Sequence, residues 1–133
     1  MGVAMLRFRC DFTQPVELTF RTLNRSAASF LLLRLNEANG HDKLDFDPAD
    51  DEFGVFQIDL TPSPRFQHLI AVVTPFDIAG AGVQVDVELQ VEQATGALTP
   101  TKPPIGHAGP YFPLGSAPTG NRTEFHLKLL SKL

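Results

Sequence analysis

The residues with the most chemical promise lie in one acidic run. Asp45, Asp47, Asp50, Asp51 and Glu52 all fall within the stretch Asp45-Phe46-Asp47-Pro48-Ala49-Asp50-Asp51-Glu52. Hard cations such as calcium take several oxygen ligands, and closely spaced carboxylates in a loop can supply them. The run does not follow the EF-hand frame, because Ala49 interrupts the acidic spacing. Its plainer reading is a solvated loop between strands, with Asp42, Asp45 and Asp47 blunting an exposed strand edge. The histidines His41, His68, His107 and His126 lie far apart and match no local metal-ligand spacing. Cys10 is the single cysteine, which excludes an internal disulfide framework. It falls on the apolar side of an alternating segment, where a buried core thiol is expected. No G-x-S-x-G elbow, phosphate-binding loop or dinucleotide fingerprint is present. No catalytic residue is assigned, and a non-enzymatic role is expected.

These residues must be positioned by a small scaffold. The chain has 133 residues, enough for one domain, and its apolar fraction of 43% is that of a globular protein rather than a disordered one. Its longest apolar runs are too short to span a bilayer. Met1–Met5 leads directly into an alternating, charge-bearing segment, so no secretory signal is expected. The expected location is the cytoplasm or a particle assembled there. The net charge of −4 is unevenly distributed. Residues 1–34 carry +3, residues 37–59 carry −7, and residues 60–133 sum to zero. An acidic middle argues against general binding to nucleic acid, which rests on Lys and Arg neutralising phosphates. Eleven Phe beside one Tyr and no Trp favour a packed core over a sugar-binding platform.

Period two dominates the readable segments. Leu6, Phe8, Cys10 and Phe12 alternate with Arg7, Arg9 and Asp11, and Val16, Leu18 and Phe20 with Glu17, Thr19 and Arg21. Val83, Val85, Val87, Leu89 and Val91 form the clearest case; Phe56, Ile58, Leu60 and Phe125, Leu127, Leu129 repeat it. Each pattern predicts a strand with one apolar face. The runs 30–35 and 69–74 are continuously apolar and suit strands buried on both faces. Gln14-Pro15, Asn36–Gly40, Thr61–Pro64 and Gly80–Gly82 supply turn chemistry between them. The expectation is an all-β, single-domain antiparallel β-sandwich of about seven strands, jelly-roll-like or Greek-key.

One segment breaks the rhythm. Residues 96–120 hold six Pro and five Gly, which excludes a central strand there. Large apolar residues are interspersed, which a pure linker would lack. The division expected is a β-sandwich core over 1–95, an extended Pro/Gly-rich C-terminal arm over 96–120, and a final strand over 121–133. That strand would complete this sheet or a neighbouring subunit's. Ile105, Tyr111, Phe112, Leu114, Phe125 and Leu127 are the expected interface residues, because a nearly uncharged apolar arm floating free would be poorly solvated.

Residues 29–76 resemble part of the tellurium-resistance family of calcium-binding β-sandwich stress proteins. The similar features are Ser29-Phe30-Leu31-Leu32, Ala38-Asn39-Gly40, Asp50-Asp51-Glu52, Ile58-Asp59-Leu60 and Ile70–Thr74. The family's Asp-Leu-Asp ahead of the third strand is replaced here by Arg25-Ser26-Ala27-Ala28-Ser29, and the C-terminal third has nothing similar. The resemblance implies a calcium site at the acidic loop.

The leading expectation is a structural or assembly protein whose partners are other copies of itself or a larger complex, such as a viral or phage particle. It needs no cofactor. The alternative is a ligand- or calcium-binding β-sandwich using the 42–52 loop.

Overall fold

A strand that alternates apolar and polar residues must set its dry face against a second sheet. In the computed structural model the described residues do this with ten strands in two packed sheets. The structure describes residues 5–23, 28–36, 40–45, 54–76, 84–103 and 109–132. No α-helix occurs among them, and no helix is long and apolar enough to cross a membrane.

The strands are β1 (Leu6–Cys10), β2 (Val16–Thr22), β3 (Ala28–Asn36), β4 (Gly40–Asp45), β5 (Val55–Leu60), β6 (His68–Pro75), β7 (Gln84–Gln93), β8 (Gly96–Ala97), β9 (Phe112–Pro118) and β10 (Thr123–Ser131). One sheet has the order β1-β10-β6-β3-β4. In the other, β5, β2 and β7 run in that order, and both β8 and β9 pair with β7. All pairs are antiparallel except β1 with β10, which run parallel with Leu6 opposite Leu127 and Phe8 opposite Leu129.

Seven of the ten strands coincide with the alternating or apolar runs seen in the sequence. The other three, β4, β8 and β9, carry too little apolar alternation to be read that way. β9 contains Pro113 and Pro118 and pairs with β7 alone, so it takes the edge position that proline tolerates. At Gly115 the backbone has φ of +146°, and a Cβ there would meet the Phe125 ring at 2.8 Å. Glycine lets β9 approach the opposite sheet at that point.

The core lies between the sheets. Leu6, Phe8, Phe30, Leu32, Leu69, Ala71, Val73, Phe125, Leu127 and Leu129 face Val16, Leu18, Phe20, Val87, Leu89, Val91, Phe112 and Leu114. Phe8 meets Phe112 edge-on with ring centroids 6.5 Å apart, and Phe30 stacks on Phe56 at 4.1 Å. These two contacts fix β1 over β9 at one side of the sandwich and β3 over β5 at the other.

The crossing from one sheet to the other is held by a buried amide. Gln93 ends β7 on its core-facing side. Its Oε1 accepts from the Asp11 N–H at 2.9 Å, and its Nε2 donates to the Asp11 carbonyl at 2.8 Å. The side chain thus continues the β ladder where β1 leaves its sheet for β2. Replacing Gln93 with Leu keeps the volume but strands the Asp11 N–H and leaves the Asp11 carbonyl with the Gln14 N–H at 3.2 Å, which should cost about 1–3 kcal/mol. Gln90→Leu, on the opposite side of β7, should change stability by less than about 0.5 kcal/mol. Urea unfolding of the two variants checks the difference; equal effects would refute the ladder role of Gln93.

Candidate functional site: the charged margins and the outer face

The two sides of the sandwich differ in charge. At the β1 side, Arg7 and Arg9 are exposed, Lys128 stands opposite Arg7 on β10, and Lys132 donates its backbone N–H to Cys10 O at 3.1 Å. Thr101 donates its N–H to Arg7 O at 2.8 Å, which brings Lys102 to the same side. At the opposite side lie β4 and β5, which carry Asp42, Asp45 and Asp59. The connecting residues 46–53 add four acids in sequence. On the outer face of the second sheet, Glu17 of β2 stands between Asp59 of β5 and Glu92 of β7. These three carboxylates line an open depression of about 370 Å³ with Pro15, Gln93 and Ala94. Like charges directly across strands are unfavourable, and the register sets three of them in one acidic row here.

The structure places the sequence-derived candidates as follows. Asp45 closes β4, opposite Leu31 of β3. Asp47, Asp50, Asp51 and Glu52 lie outside the described residues, as does Ile105. Phe112, Leu114, Phe125 and Leu127 are buried in this chain's own core. Their apolarity, which suggested contact between copies, is accounted for by that packing. Tyr111 is half-buried, with the Arg21 guanidinium 3.5 Å above its ring. Arg21 also pairs with Glu88 at 2.8 Å, so the start of β9 is tied across β7 to β2. Cation–π attraction and the ion pair act on one guanidinium.

Sequence spacing gave no hint of a second feature. His68 of β6 and His126 of β10 lie on the outer face of the first sheet, with His68 Nε2 and His126 Nδ1 2.8 Å apart. They are 58 residues apart, so only the β6–β10 register brings them together. Their place on the polar side of the alternation was the one available signal. His68 lies between Leu35 of β3 and Lys128 of β10, and His126 lies opposite Ile70. Desolvation, then the neighbouring His126 and Lys128, hold the His68 pKa below its ordinary value.

Burial and the adjacent Asp11 carboxylate push the Cys10 thiol up to about 11, only partly offset by Lys132. A thiolate is the reactive form, so this group is a core filler. Asp11 itself is held low by hydrogen bonds from the Thr13 hydroxyl and backbone N–H. Among the described residues no group of three His, Cys, Asp or Glu is arranged to hold a metal ion.

No family model, curated protein or solved structure matches this chain. The partial similarity to the tellurium-resistance proteins is therefore unaccompanied by a family match.

Two outcomes follow from the titrating groups. A depressed His68 pKa means the unfolded chain takes up the proton more readily than the folded one. Stability should therefore be full above about pH 6.5 and fall as pH drops below that value. Melting curves in metal-free buffer between pH 7.5 and 5.5 should show this decline, and His68→Gln should flatten it; an identical decline in that variant would exclude His68 as its source. For Cys10, a thiol reagent such as DTNB should react slowly with folded protein and rapidly in urea. Rapid labelling of the native chain would contradict the burial.

Proposed function

We propose that this chain is a non-enzymatic assembly subunit. In this reading the basic β1 side of one sandwich seats against the acidic β4–β5 side of the next copy. The observation that carries it is the difference in charge between those two sides: Arg7, Arg9, Lys128 and Lys132 on one, and Asp42, Asp45 and Asp59 beside Lys43 on the strands of the other. Such a contact joins two different surfaces, so it repeats head to tail and closes into a ring or continues as a filament. A shell, tube or particle, viral or cellular, is the kind of structure it would build.

The treatment of the strand edges supports the same reading. The β1 edge is covered by the backbone around Thr101, and β9 is blunted by proline. By contrast, β5 pairs with β2 and with no other described strand, and it contains neither proline nor lysine. An edge of that kind accepts a neighbouring chain.

Size-exclusion chromatography with light scattering tests the proposal. At low ionic strength the mass should rise with protein concentration, and about 0.5 M salt should return it to the monomer, because surface attraction is screened. An Arg7→Glu/Arg9→Glu variant should remain folded and monomeric throughout. A wild-type chain that stays monomeric at millimolar concentration in low salt would overturn the reading. If calcium then raised its melting temperature, the acidic 42–52 loop would become the functional element instead.

A further inference from the structure

We infer that His68 and His126 form a two-imidazole binding site for a divalent transition metal on the outer face of the first sheet. The facing atoms, Nε2 of His68 and Nδ1 of His126, are 2.8 Å apart, with ring centroids 4.9 Å apart and planes inclined by 58°. Neutral imidazole is the ligating form, and the desolvation that lowers the His68 pKa favours it. The rings come from adjacent hydrogen-bonded strands, so their separation is fixed by the β6–β10 ladder rather than by a loop.

The hydrogen-bonded spacing of the metal-free pair is close to that of two nitrogens on one metal. With metal–nitrogen bonds of about 2.05 Å, a right-angled pair of ligands sits about 2.9 Å apart, and a tetrahedral pair about 3.3 Å apart. The observed separation needs almost no opening for the first geometry, only rotation of both rings toward a common point. Cu2+ and Ni2+ adopt right-angled arrangements with imidazole, whereas Zn2+ prefers the tetrahedron. Cu2+ should bind best, as the general affinity order requires.

Proton balance is simple. In the metal-free pair one facing nitrogen donates its N–H to the other. On binding, that ring shifts its proton to its distal nitrogen, both facing lone pairs go to the metal, and no proton leaves the protein. The charged groups on this face among the described residues of β1, β6 and β10 are Lys128 beside His68, Arg7 opposite Lys128, Arg9 opposite Leu130, and Glu124 two residues before His126. Lys128 weakens the site, and solvent completes the coordination.

Calorimetric titration of the full chain with Cu2+, Ni2+ or Zn2+, in a non-coordinating buffer near pH 7.5, tests this. The expected result is saturable one-to-one Cu2+ binding, at least tenfold tighter than Zn2+, with two nitrogen ligands in the electron paramagnetic resonance spectrum. His68→Asn and His126→Gln, each verified as folded by circular dichroism, should both weaken Cu2+ binding tenfold or more. No saturable binding, or binding that either variant leaves unchanged, would overturn the inference. The second result would place the ion at His41, His107 or the amino terminus.

Discussion

The fold depends on the insertion of its last strand between two earlier ones. β10 lies between β1 and β6, so the first sheet is incomplete until residues 123–131 are in place. Phe125, Leu127 and Leu129 then close the core under β1 and β6, and Leu127 is fully buried. Burying such side chains contributes about 1.5–3 kcal/mol each, so losing β10 removes a large part of the stability and exposes two strand edges at once. Pairing of this kind joins residues 121 positions apart, as in Leu6 with Leu127. Loop-closure entropy must be overcome before those contacts form, which makes their formation a late event in folding.

The proline-rich segment is subordinate to that closure. After β8 the chain leaves the second sheet, passes the β1 edge at Thr101, and returns as β9 beside β7. Each proline removes a donor that would otherwise need a partner, and its fixed φ lowers the entropy lost on docking. Pro100 is buried, and Phe112 inserts against Phe8. The described part of the segment therefore bridges the two sheets of its own sandwich, and the guarded β1 and β9 edges are its consequence. At the far side, among the described residues, β5 pairs with β2 alone.

Alternation made seven strands legible because burial of one face is a local pattern with period two. Pairing partners were not legible, because they depend on register between segments distant in sequence. The parallel β1–β10 pair and the His68–His126 contact belong to that second class. So does Gln93, whose polar side chain at a core-facing position of β7 gives no sign of the two Asp11 groups it satisfies. The continuously apolar runs illustrate the boundary between the classes. In β3, Phe30 and Leu32 face the core, while Leu31, Leu33 and Leu35 lie on the outer side. In β6, Ile70 and Val72 are nearly buried on that same outer side, at 8% and 5% exposure. Ile70 is flanked in register by Leu33 and His126, and Val72 by Leu31 and Glu124. The expectation of two covered faces thus described β6 correctly. The apolar neighbourhood is also what desolvates His68.

Charge was legible as a tally and became informative only with the topology. The +3 segment 1–34 and the −7 segment 37–59 meet in part, because β2 pairs with β5 and β3 with β4, where Arg34 stands opposite Asp42. Arg7 and Arg9 stand outside that pairing, because the strand order puts β1 and β4 at opposite ends of one sheet, with β5 at the end of the other beneath β3. The separation is therefore imposed by the order in which the strands are laid down, and it gives the molecule an electrostatic direction across its strands. In the proposed assembly, self-pairing of identical sides would be opposed by like charge, and pairing of unlike sides would leave each copy able to bind another. That directional bias connects the strand order to the assembly reading.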